Sequence, residues 1–464
     1  MTSVPPVANS KILGAVILIR HGDREGFFQD PITYTASNTA ITPLGNAQSI
    51  QLGAQIRSIY FDDNSSPYFI STVNNTIAQD NQLMIRADAG GERGVIFNSA
   101  VSFLQGLFPA TTTYSTRLAN GSTIVGPLGG YQTIPIESVE PDNDISLEGW
   151  TDCATFTTAT SNFYNSSIFL KTAADHADFL KVLPPFLDGR DATLVNMWNI
   201  FDYMNVNNIH NRTFAQALPP TFLAQARALA DFHENGVFSS PQPNGIGNIA
   251  GQTILPSILS AISNITMVSS PLKFAVEAIS YKPFISLFNM TGVAQMNPQL
   301  SGVVDYSSAA VFEVWQPNSG GEPVIRFAFK NGTADEFHAF NFLNSTTNVP
   351  VSTFVNAMKP FAFNDIPHWC QVCQNTQDRG CAALAAASAS SAANATHSVF
   401  IGSHDRVSPV GAGFIGAAVM LVVLLGSLGL LSFAGFLTFG KQRNPNRRLG
   451  SDTDSTEKQG YAVF

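Results

Sequence analysis

The chain has 464 residues, of which 45% are hydrophobic and only 12% charged, with a formal net charge of −9 at pH 7. This length suffices for a large buried core, and the hydrophobic fraction excludes a chain that is disordered throughout. The charged share is about half that of an ordinary soluble domain. Because no long basic run covers the body, we expect no binding to nucleic acid.

The first elements in chain order predict an α/β sheet. The continuous apolar run Lys11–Ile19 is typical of a central strand covered on both faces. Thr42 and Pro43 open a helical pattern, with Thr42 as the N-cap and Pro43 at the first helical position. The next predicted elements are strands over Tyr68–Val73 and Gln82–Arg86 and a helix over Phe97–Leu107. This βαββα order favours an α/β fold.

Residues 150–270 have mostly helical periodicity, and we interpret them as a helical cap inserted over the sheet. The predicted cap helices cover Asp191–Met204, Thr221–Glu234 and Gly251–Ile262. The chain then returns to the sheet with a strand at Leu272–Val276, a helix at Pro283–Met290, and a hairpin formed by Tyr306–Trp315 and Pro323–Lys330. The folded body is predicted to span residues 11–381.

Phosphate chemistry is indicated by the segment Arg20-His21-Gly22-Asp23-Arg24, directly after the first predicted strand. Ligands of open α/β sheets bind at the carboxyl ends of strands. Arg20 and Arg24 supply charged donor forks that suit phosphate oxygens. Between them, like charge disfavours the protonated form of His21, which leaves a neutral ring nitrogen able to attack phosphorus. A histidine at a strand end beside two surface arginines is the purely structural alternative.

At these residues the chain resembles the histidine acid phosphatases, a branch of the phosphoglycerate mutase-like superfamily that includes fungal phytases. Their opening motif is Arg-His-Gly-x-Arg-x-Pro, and here Gly26 stands where the proline is expected. Thr42-Pro43-Leu44-Gly45 and the segment from Arg86 to Pro109 are also similar to family motifs. The resemblance implies a phosphoglycerate mutase-like α/β sandwich with a helical cap. It also implies a further phosphate-binding arginine, matched by Arg93 with Arg86 as the alternative, although the spacing is longer than in the family.

The family completes its site with a His-Asp pair after a later strand, whose acid protonates the leaving alcohol. In register with that motif, the histidine position falls on Ser280 and the aspartate position on Tyr281. Both members of the pair are therefore predicted to be replaced. The candidate proton donors are Tyr281, Glu277 and Asp88, with Asp23 and Glu25 as further acids nearby.

The sequence does contain one His-Asp dipeptide, His404-Asp405. It follows an Ala/Ser-rich stretch, has no strand and helix around it, and lies just before a long apolar run. We therefore predict that this pair is not catalytic.

The cysteines and the sequons indicate an oxidising, glycosylating compartment. The chain has four cysteines, Cys153, Cys370, Cys373 and Cys381, and ten Asn-x-Ser/Thr sequons. Three of the cysteines with His368 offer a zinc site as the alternative to disulfides. We favour disulfides, because the second cysteine pair of a zinc module is missing. The sequons are Asn64, Asn74, Asn120, Asn165, Asn211, Asn264, Asn289, Asn331, Asn344 and Asn394.

A single-pass membrane anchor is predicted near the C-terminus. Residues 407–440 carry no charge, and Lys441, Arg443, Arg447 and Arg448 follow at once. By the positive-inside rule the tail, residues 441–464, is cytoplasmic and the body extracellular or lumenal. Residues 382–406 form the predicted stalk. Because the N-terminus resembles a strand more than a signal peptide, either the signal lies upstream or the orientation is inverted, and we favour an upstream signal.

Together these patterns predict a membrane-anchored phosphatase that hydrolyses phosphomonoesters through a phosphohistidine on His21. We expect its partners to be a phosphorylated small molecule or inorganic phosphate, and the membrane through the C-terminal helix. The prediction includes no metal ion and no cofactor. Because the general-acid motif is replaced, the alternative is a catalytically impaired relative that binds phosphate or another anion, or a cell-surface interaction domain. A purely structural wall or adhesion protein does not explain the Arg-His-Gly-x-Arg segment.

Overall fold

The chain is built around its first strand, which is buried along nearly its whole length. The structure is a computed structural model that describes residues 7–27, 29–31, 39–90, 94–363 and 365–387. These residues belong to one compact unit.

The strands of the described residues are β1 (Ser10–Arg20), β2 (Leu83–Asp88), β3 (Ser115–Arg117), β4 (Thr123–Val125), β5 (Glu137–Val139), β6 (Phe274–Ile279), β7 (Ala309–Pro317), β8 (Val324–Lys330), β9 (His338–Phe340) and β10 (Val349–Pro350). The α-helices are α1 (Pro43–Arg57), α2 (Val95–Leu107), α3 (Pro127–Gly130), α4 (Ala154–Tyr164), α5 (Ser167–Asp175), α6 (Ala177–Val182), α7 (Met197–His210), α8 (Arg212–Ala217), α9 (Phe222–Phe238), α10 (Ile249–Thr266), α11 (Lys282–Met290), α12 (Val293–Met296), α13 (Val351–Met358) and α14 (Ile366–Cys373).

One mixed sheet has the strand order β10-β8-β7-β1-β6-β2-β5, with β9 paired to β8. The strands β1, β6, β2 and β5 run parallel, whereas β7 and β8 are antiparallel. In the β1–β6 pairing, Arg20 lies opposite Ile279. The carboxyl ends of β1 and β6 therefore meet at the same edge of the sheet.

Both faces of the sheet are covered, as the unbroken apolar run of β1 predicts. Ile17 and Ile19 pack with α1 and α2 on one face, and Val16 and Leu18 pack with α10, α11 and α13 on the other. A separate apolar cluster, which includes Phe169, joins α5 to α9 in the helical region. The mixed α/β fold with a central sheet is thereby confirmed.

Local signals place several elements correctly. Thr42 caps α1 by accepting a hydrogen bond from Gly45 N at 3.1 Å, and Pro43 is the first residue of the helix. The strand predicted over Tyr68–Val73 is wrong, because these residues form turns. Their backbone bonds locally, for example from Ile70 N to the Tyr60 carbonyl at 2.9 Å, while Tyr68, Ile70 and Val73 still pack into the core.

Two disulfides, Cys153–Cys373 and Cys370–Cys381, join the start of α4 to α14 and close α14 against the segment after it. All four cysteines are paired, which confirms the preference for disulfides over zinc. Such bonds fit an extracellular or lumenal body.

Within the described residues, no helix is long and apolar enough to cross a bilayer. The predicted membrane segment, residues 407–440, lies outside the described residues, as do His404, Asp405 and the predicted tail. Residues 381–387, which include the start of the predicted stalk, are helical.

Candidate active site

His21 is fully buried immediately beyond the end of β1. Its Nδ1 lies 2.8 Å from the Gly22 carbonyl oxygen. Because a carbonyl only accepts hydrogen bonds, Nδ1 carries the proton, and Nε2 of the neutral ring keeps its lone pair. This is the tautomer that a nucleophile acting through Nε2 requires.

The loop after His21 packs tightly on the helical layer. Gly22 N donates to Ser99 Oγ at 3.0 Å, and Asp23 N donates to Gln48 Oε1 at 2.8 Å. A Cβ atom on Gly22 would lie only 2.3 Å from the Gly45 carbonyl oxygen. Glycine at position 22 is therefore needed for the close approach that holds His21 in place.

Arg20, the last residue of β1, is 7% exposed and extends between two tyrosine rings. Its guanidinium carbon lies 4.6 Å from the ring centre of Tyr306 and 5.3 Å from that of Tyr281. Nη1 also donates to the Val304 carbonyl. The stacking and the hydrogen bond fix the orientation of the donor fork.

Arg24 and Asp23 connect the same loop to the cap helix α7. Arg24 pairs with both carboxylate oxygens of Asp202, at 3.0 and 3.2 Å. Asp23 is fully buried, and its Oδ2 accepts from Thr42 Oγ1 at 2.5 Å and lies 2.7 Å from His210 Nε2. No local sequence pattern indicated Asp202 or His210, because these contacts join residues 178 and 187 positions apart.

A cavity of about 340 Å³ opens at this edge of the sheet, between the β1 and β6 ends and the cap. Its charged wall residues are Arg20, Arg24, Arg227, Lys282, Asp202 and Asp305, and its aromatic wall residues are Phe27, Trp198, Phe201, Tyr281 and Tyr306. The four cations exceed the two carboxylates, which suits an anionic ligand.

The additional phosphate-binding arginine predicted from the family motif is not located by the structure. Arg93 lies outside the described residues. Arg86, the alternative, contacts three carboxylates: Glu137 at 2.9 Å, Asp144 at 3.0 Å and Glu277 at 3.5 Å. These carboxylates compete with any phosphate for the Arg86 guanidinium.

Among the described residues, Tyr281 is the one candidate proton donor that lines the cavity. It lies with Ser280 between β6 and α11, and its hydroxyl donates to Glu234 at 2.6 Å. Glu234 in turn accepts from His233 Nδ1 at 2.7 Å. The phenol of Tyr281 is thus directed toward a buried carboxylate of α9.

The other candidate acids are engaged elsewhere. Glu277 is fully buried on β6, accepts a hydrogen bond from Ser257, and has its pKa raised to about 7 by burial. Asp88 is buried at the end of β2 and accepts from Gly90 N at 2.9 Å. Glu25 is exposed, and Asp23 is bound by Thr42 and His210.

Tyr306 is a site residue that the sequence marked only as the start of a hairpin. Its ring centre lies 5.6 Å from that of His21, and it lines the cavity. Burial raises the pKa of Tyr306 to about 12. Among the described residues, no group of three or more His, Cys, Asp or Glu side chains is arranged to hold a metal ion.

Comparison with known proteins finds acid phosphatases among the relatives of this chain. The chain is 23% identical over 372 residues to prostatic acid phosphatase of Mus musculus, covering 78% of this chain and 90% of the relative. It is 20% identical over 382 residues to lysosomal acid phosphatase of Homo sapiens, covering 81% and 84%.

Solved phytase structures share the fold. The phytase from Citrobacter braakii superposes with a TM-score of 0.56 at 14% identity, covering 77% of this chain and 99% of that one. A Klebsiella phytase gives 0.55 at 13% identity, covering 78% and 97%.

The model of the histidine phosphatase superfamily, branch 2, matches residues 25–330, which begin just after Arg24. The relatives are acid phosphatases, so the predicted enzyme class, an acid phosphatase-type phosphomonoester hydrolase, is confirmed at the level of the family. The chain belongs to branch 2 of the histidine phosphatase superfamily.

Proposed function

We propose that this chain is a membrane-anchored acid phosphatase that hydrolyses phosphomonoesters through a phosphohistidine on His21. The observation that carries the proposal is the hydrogen bond of 2.8 Å between His21 Nδ1 and the Gly22 carbonyl. It keeps the proton on Nδ1 and the lone pair on Nε2, at a strand end that also carries Arg20 and Arg24.

In the first step, Nε2 of His21 attacks phosphorus, the P–N bond forms, and the bond from phosphorus to the leaving oxygen breaks. Arg20 and Arg24 bind the phosphoryl oxygens, and Arg93 is proposed as the third arginine. In the second step, a water oxygen attacks phosphorus and the P–N bond breaks, which releases inorganic phosphate. No metal or cofactor takes part in this scheme.

The test is to trap the intermediate on the full chain. Acid quenching during turnover of a ³²P-labelled phosphomonoester should leave acid-labile label on the protein. His21→Ala should remove the label and lower kcat by on the order of 10⁶-fold, the cost of deleting a hydrolase nucleophile. His176→Ala, at an exposed histidine, is the matched control and should behave as wild type. Hydrolysis by His21→Ala at the wild-type rate would refute the assignment.

A second function, anion binding without turnover, is favoured by one observation. Ser280 and Tyr281, which we predict to replace the family's His-Asp pair, lie in the connection between β6 and α11. A general acid contributes about 10²–10⁴-fold, so its absence slows turnover without removing the phosphate site. If wild type binds inorganic phosphate but shows neither turnover nor label, this second function replaces the first.

The anchor and the lumenal body complete the proposal. They are supported by the uncharged run at residues 407–440 with basic residues after it, and by sequons on exposed positions. The exposed sequon asparagines among the described residues are Asn64, Asn74, Asn120, Asn165, Asn211 and Asn344.

Glycosidase treatment of the cellular protein should lower its apparent mass. Asn120→Gln should reproduce part of that shift, because Asn120 is exposed. Asn289→Gln should not, because the Asn289 amide donates to the Ser240 carbonyl at 2.7 Å and to Asn248 Oδ1 at 2.9 Å. A cellular protein whose mass does not respond to glycosidase would contradict the lumenal body.

A further inference from the structure

Two tyrosines stack on the Arg20 guanidinium, and they differ in what their hydroxyls do. The Tyr281 hydroxyl donates to the buried Glu234 at 2.6 Å. The Tyr306 hydroxyl forms no hydrogen bond with any of the described residues, although the side chain is only 8% exposed and lines the cavity. A phenol held in this way retains its donor for whatever occupies the cavity.

Tyr306 is also the cavity-lining aromatic residue placed against the nucleophile. Its ring centre is 5.6 Å from the His21 ring and 4.6 Å from the Arg20 guanidinium carbon. A phosphoryl group bound by Arg20 and attacked by His21 therefore lies within the surroundings of this phenol. Hydrogen-bond reach of the leaving oxygen is the geometric requirement for a proton donor.

The carboxyl groups on the cavity wall are poorly suited to donate a proton. Asp202 is paired with Arg24 at 3.0 Å, and Asp305 is paired with Arg227 at 2.6 Å. Each carboxyl is thus engaged by a guanidinium and does not face the cavity unpartnered. The Nζ of Lys282 lies over the Trp150 ring, 5.0 Å from its centre.

We propose that Tyr306 is the catalytic proton donor of this site and that it serves phosphomonoesters of aliphatic alcohols. The inference rests on the proposed phosphohistidine mechanism. As the bond between phosphorus and the ester oxygen breaks, the leaving alkoxide takes the hydroxyl proton of Tyr306 and departs as the alcohol. In the second step, the water that attacks the phosphohistidine returns a proton to the Tyr306 phenolate, so the donor is regenerated.

The acidity of this phenol fits aliphatic substrates. Burial raises the pKa of Tyr306 to about 12, so its hydroxyl stays protonated throughout acidic and neutral pH. Alkoxides are strong enough bases to take a proton from such a group. A nitrophenolate leaves readily without one, because it is a much weaker base than the Tyr306 phenolate.

The experiment compares two leaving groups in the full chain. kcat is measured for glycerol 2-phosphate and for p-nitrophenyl phosphate in wild type, Tyr306→Phe and the exposed control Tyr114→Phe. For Tyr306→Phe we expect kcat to fall about 10²–10⁴-fold with glycerol 2-phosphate and to stay within about 3-fold with p-nitrophenyl phosphate. Tyr114→Phe should match wild type with both substrates.

Several outcomes would overturn the inference. An equal loss with both substrates means that Tyr306 positions Arg20 or His21 and donates no proton. A loss confined to glycerol 2-phosphate in Tyr281→Phe or Lys282→Met, with Tyr306→Phe unaffected, assigns the proton to that residue instead. If wild type hydrolyses neither substrate, the proposed function fails as well, which distinguishes the two failures.

A second measurement tests the proposal if the Tyr306→Phe chain does not fold. Fluorinated tyrosine at position 306 keeps the shape of the ring and makes the phenol more acidic. The alkaline limb of kcat for glycerol 2-phosphate should then move to lower pH, and an unmoved limb would contradict the proposal.

Discussion

The carboxyl ends of β1 and β6 are neighbours in the sheet, with Arg20 opposite Ile279, yet they differ in chemistry. The β1 end carries a histidine in a defined tautomer between two arginines. The β6 end carries Ser280 and Tyr281, neither of which is a carboxylic acid. In the proposed mechanism phosphoryl transfer takes place at the β1 end, and the proton comes from Tyr306, just before β7, and not from the β6 end. Under this proposal, proton donation moves to another strand end while phosphoryl transfer stays at β1.

The largest expected effect comes from making the β6 end resemble the rest of the family. In a Tyr306→Phe background, Ser280→His combined with Tyr281→Asp should raise kcat for glycerol 2-phosphate by about 10²–10⁴-fold, because the introduced carboxyl replaces the missing general acid. The Glu234 carboxylate, 2.6 Å from the present Tyr281 hydroxyl, favours the protonated form of the introduced carboxyl. Steady-state kinetics of the double and both single variants test this. If the two added substitutions do not raise kcat of the Tyr306→Phe chain, the β6 end does not face the leaving group.

The two strands also differ in their interiors, where Glu277 of β6 lies opposite Leu18 of β1. Burial raises the pKa of Glu277 from 4.5 to about 7, so the folded state favours the protonated carboxyl. Its contribution to stability is complete below pH 4.5 and is lost as the pH rises to about 7. The shift corresponds to about 3 kcal/mol of unfolding free energy.

Glu277→Gln should remove this pH dependence, because a glutamine retains hydrogen-bonding capacity toward Ser257 without titrating. The measurement is denaturant unfolding of both proteins at pH 4.5 and 7.5. Wild type should lose stability relative to the variant as the pH rises. If the difference in unfolding free energy between wild type and variant is the same at both pH values, Glu277 does not titrate in this range.

A smaller effect is expected from the arginine that joins the β1 end to the cap. Arg24→Ala should weaken binding of inorganic phosphate by about 2 kcal/mol, roughly 30-fold, the usual value for a hydrogen bond to a charged group. Asp202→Asn is the matched control, because it keeps Arg24 and removes its carboxylate partner at 3.0 Å. Phosphate affinity of that control should equal or exceed the wild-type value. Calorimetric titration distinguishes the two, and an Arg24→Ala chain with unchanged affinity would remove Arg24 from the phosphate site.

The sequence could predict those features that depend on residues close together in the chain. The apolar run of β1 and the Thr42 cap of α1 depend on neighbouring residues, and both are found as expected. The contacts of Asp202 and His210 with the β1 end depend on how the cap folds back, which no local pattern reports. Tyr306 was missed for a related reason, since its proximity to His21 arises only when β7 pairs with β1.

We expect no effect on activity from substituting His404-Asp405, the one dipeptide in the sequence with the same two residues as the family motif. It follows the Ala/Ser-rich stretch, is separated from the uncharged run of residues 407–440 by Arg406 alone, and lies outside the described residues. A general acid must come within hydrogen-bond reach of the leaving oxygen, and a position next to a predicted membrane segment is unsuited to that. His404→Ala combined with Asp405→Ala in the full chain should therefore keep kcat for glycerol 2-phosphate within about 2-fold of wild type. A fall of about 10²–10⁴-fold, with phosphate affinity unchanged, would assign the proton donor to this pair and exclude Tyr306.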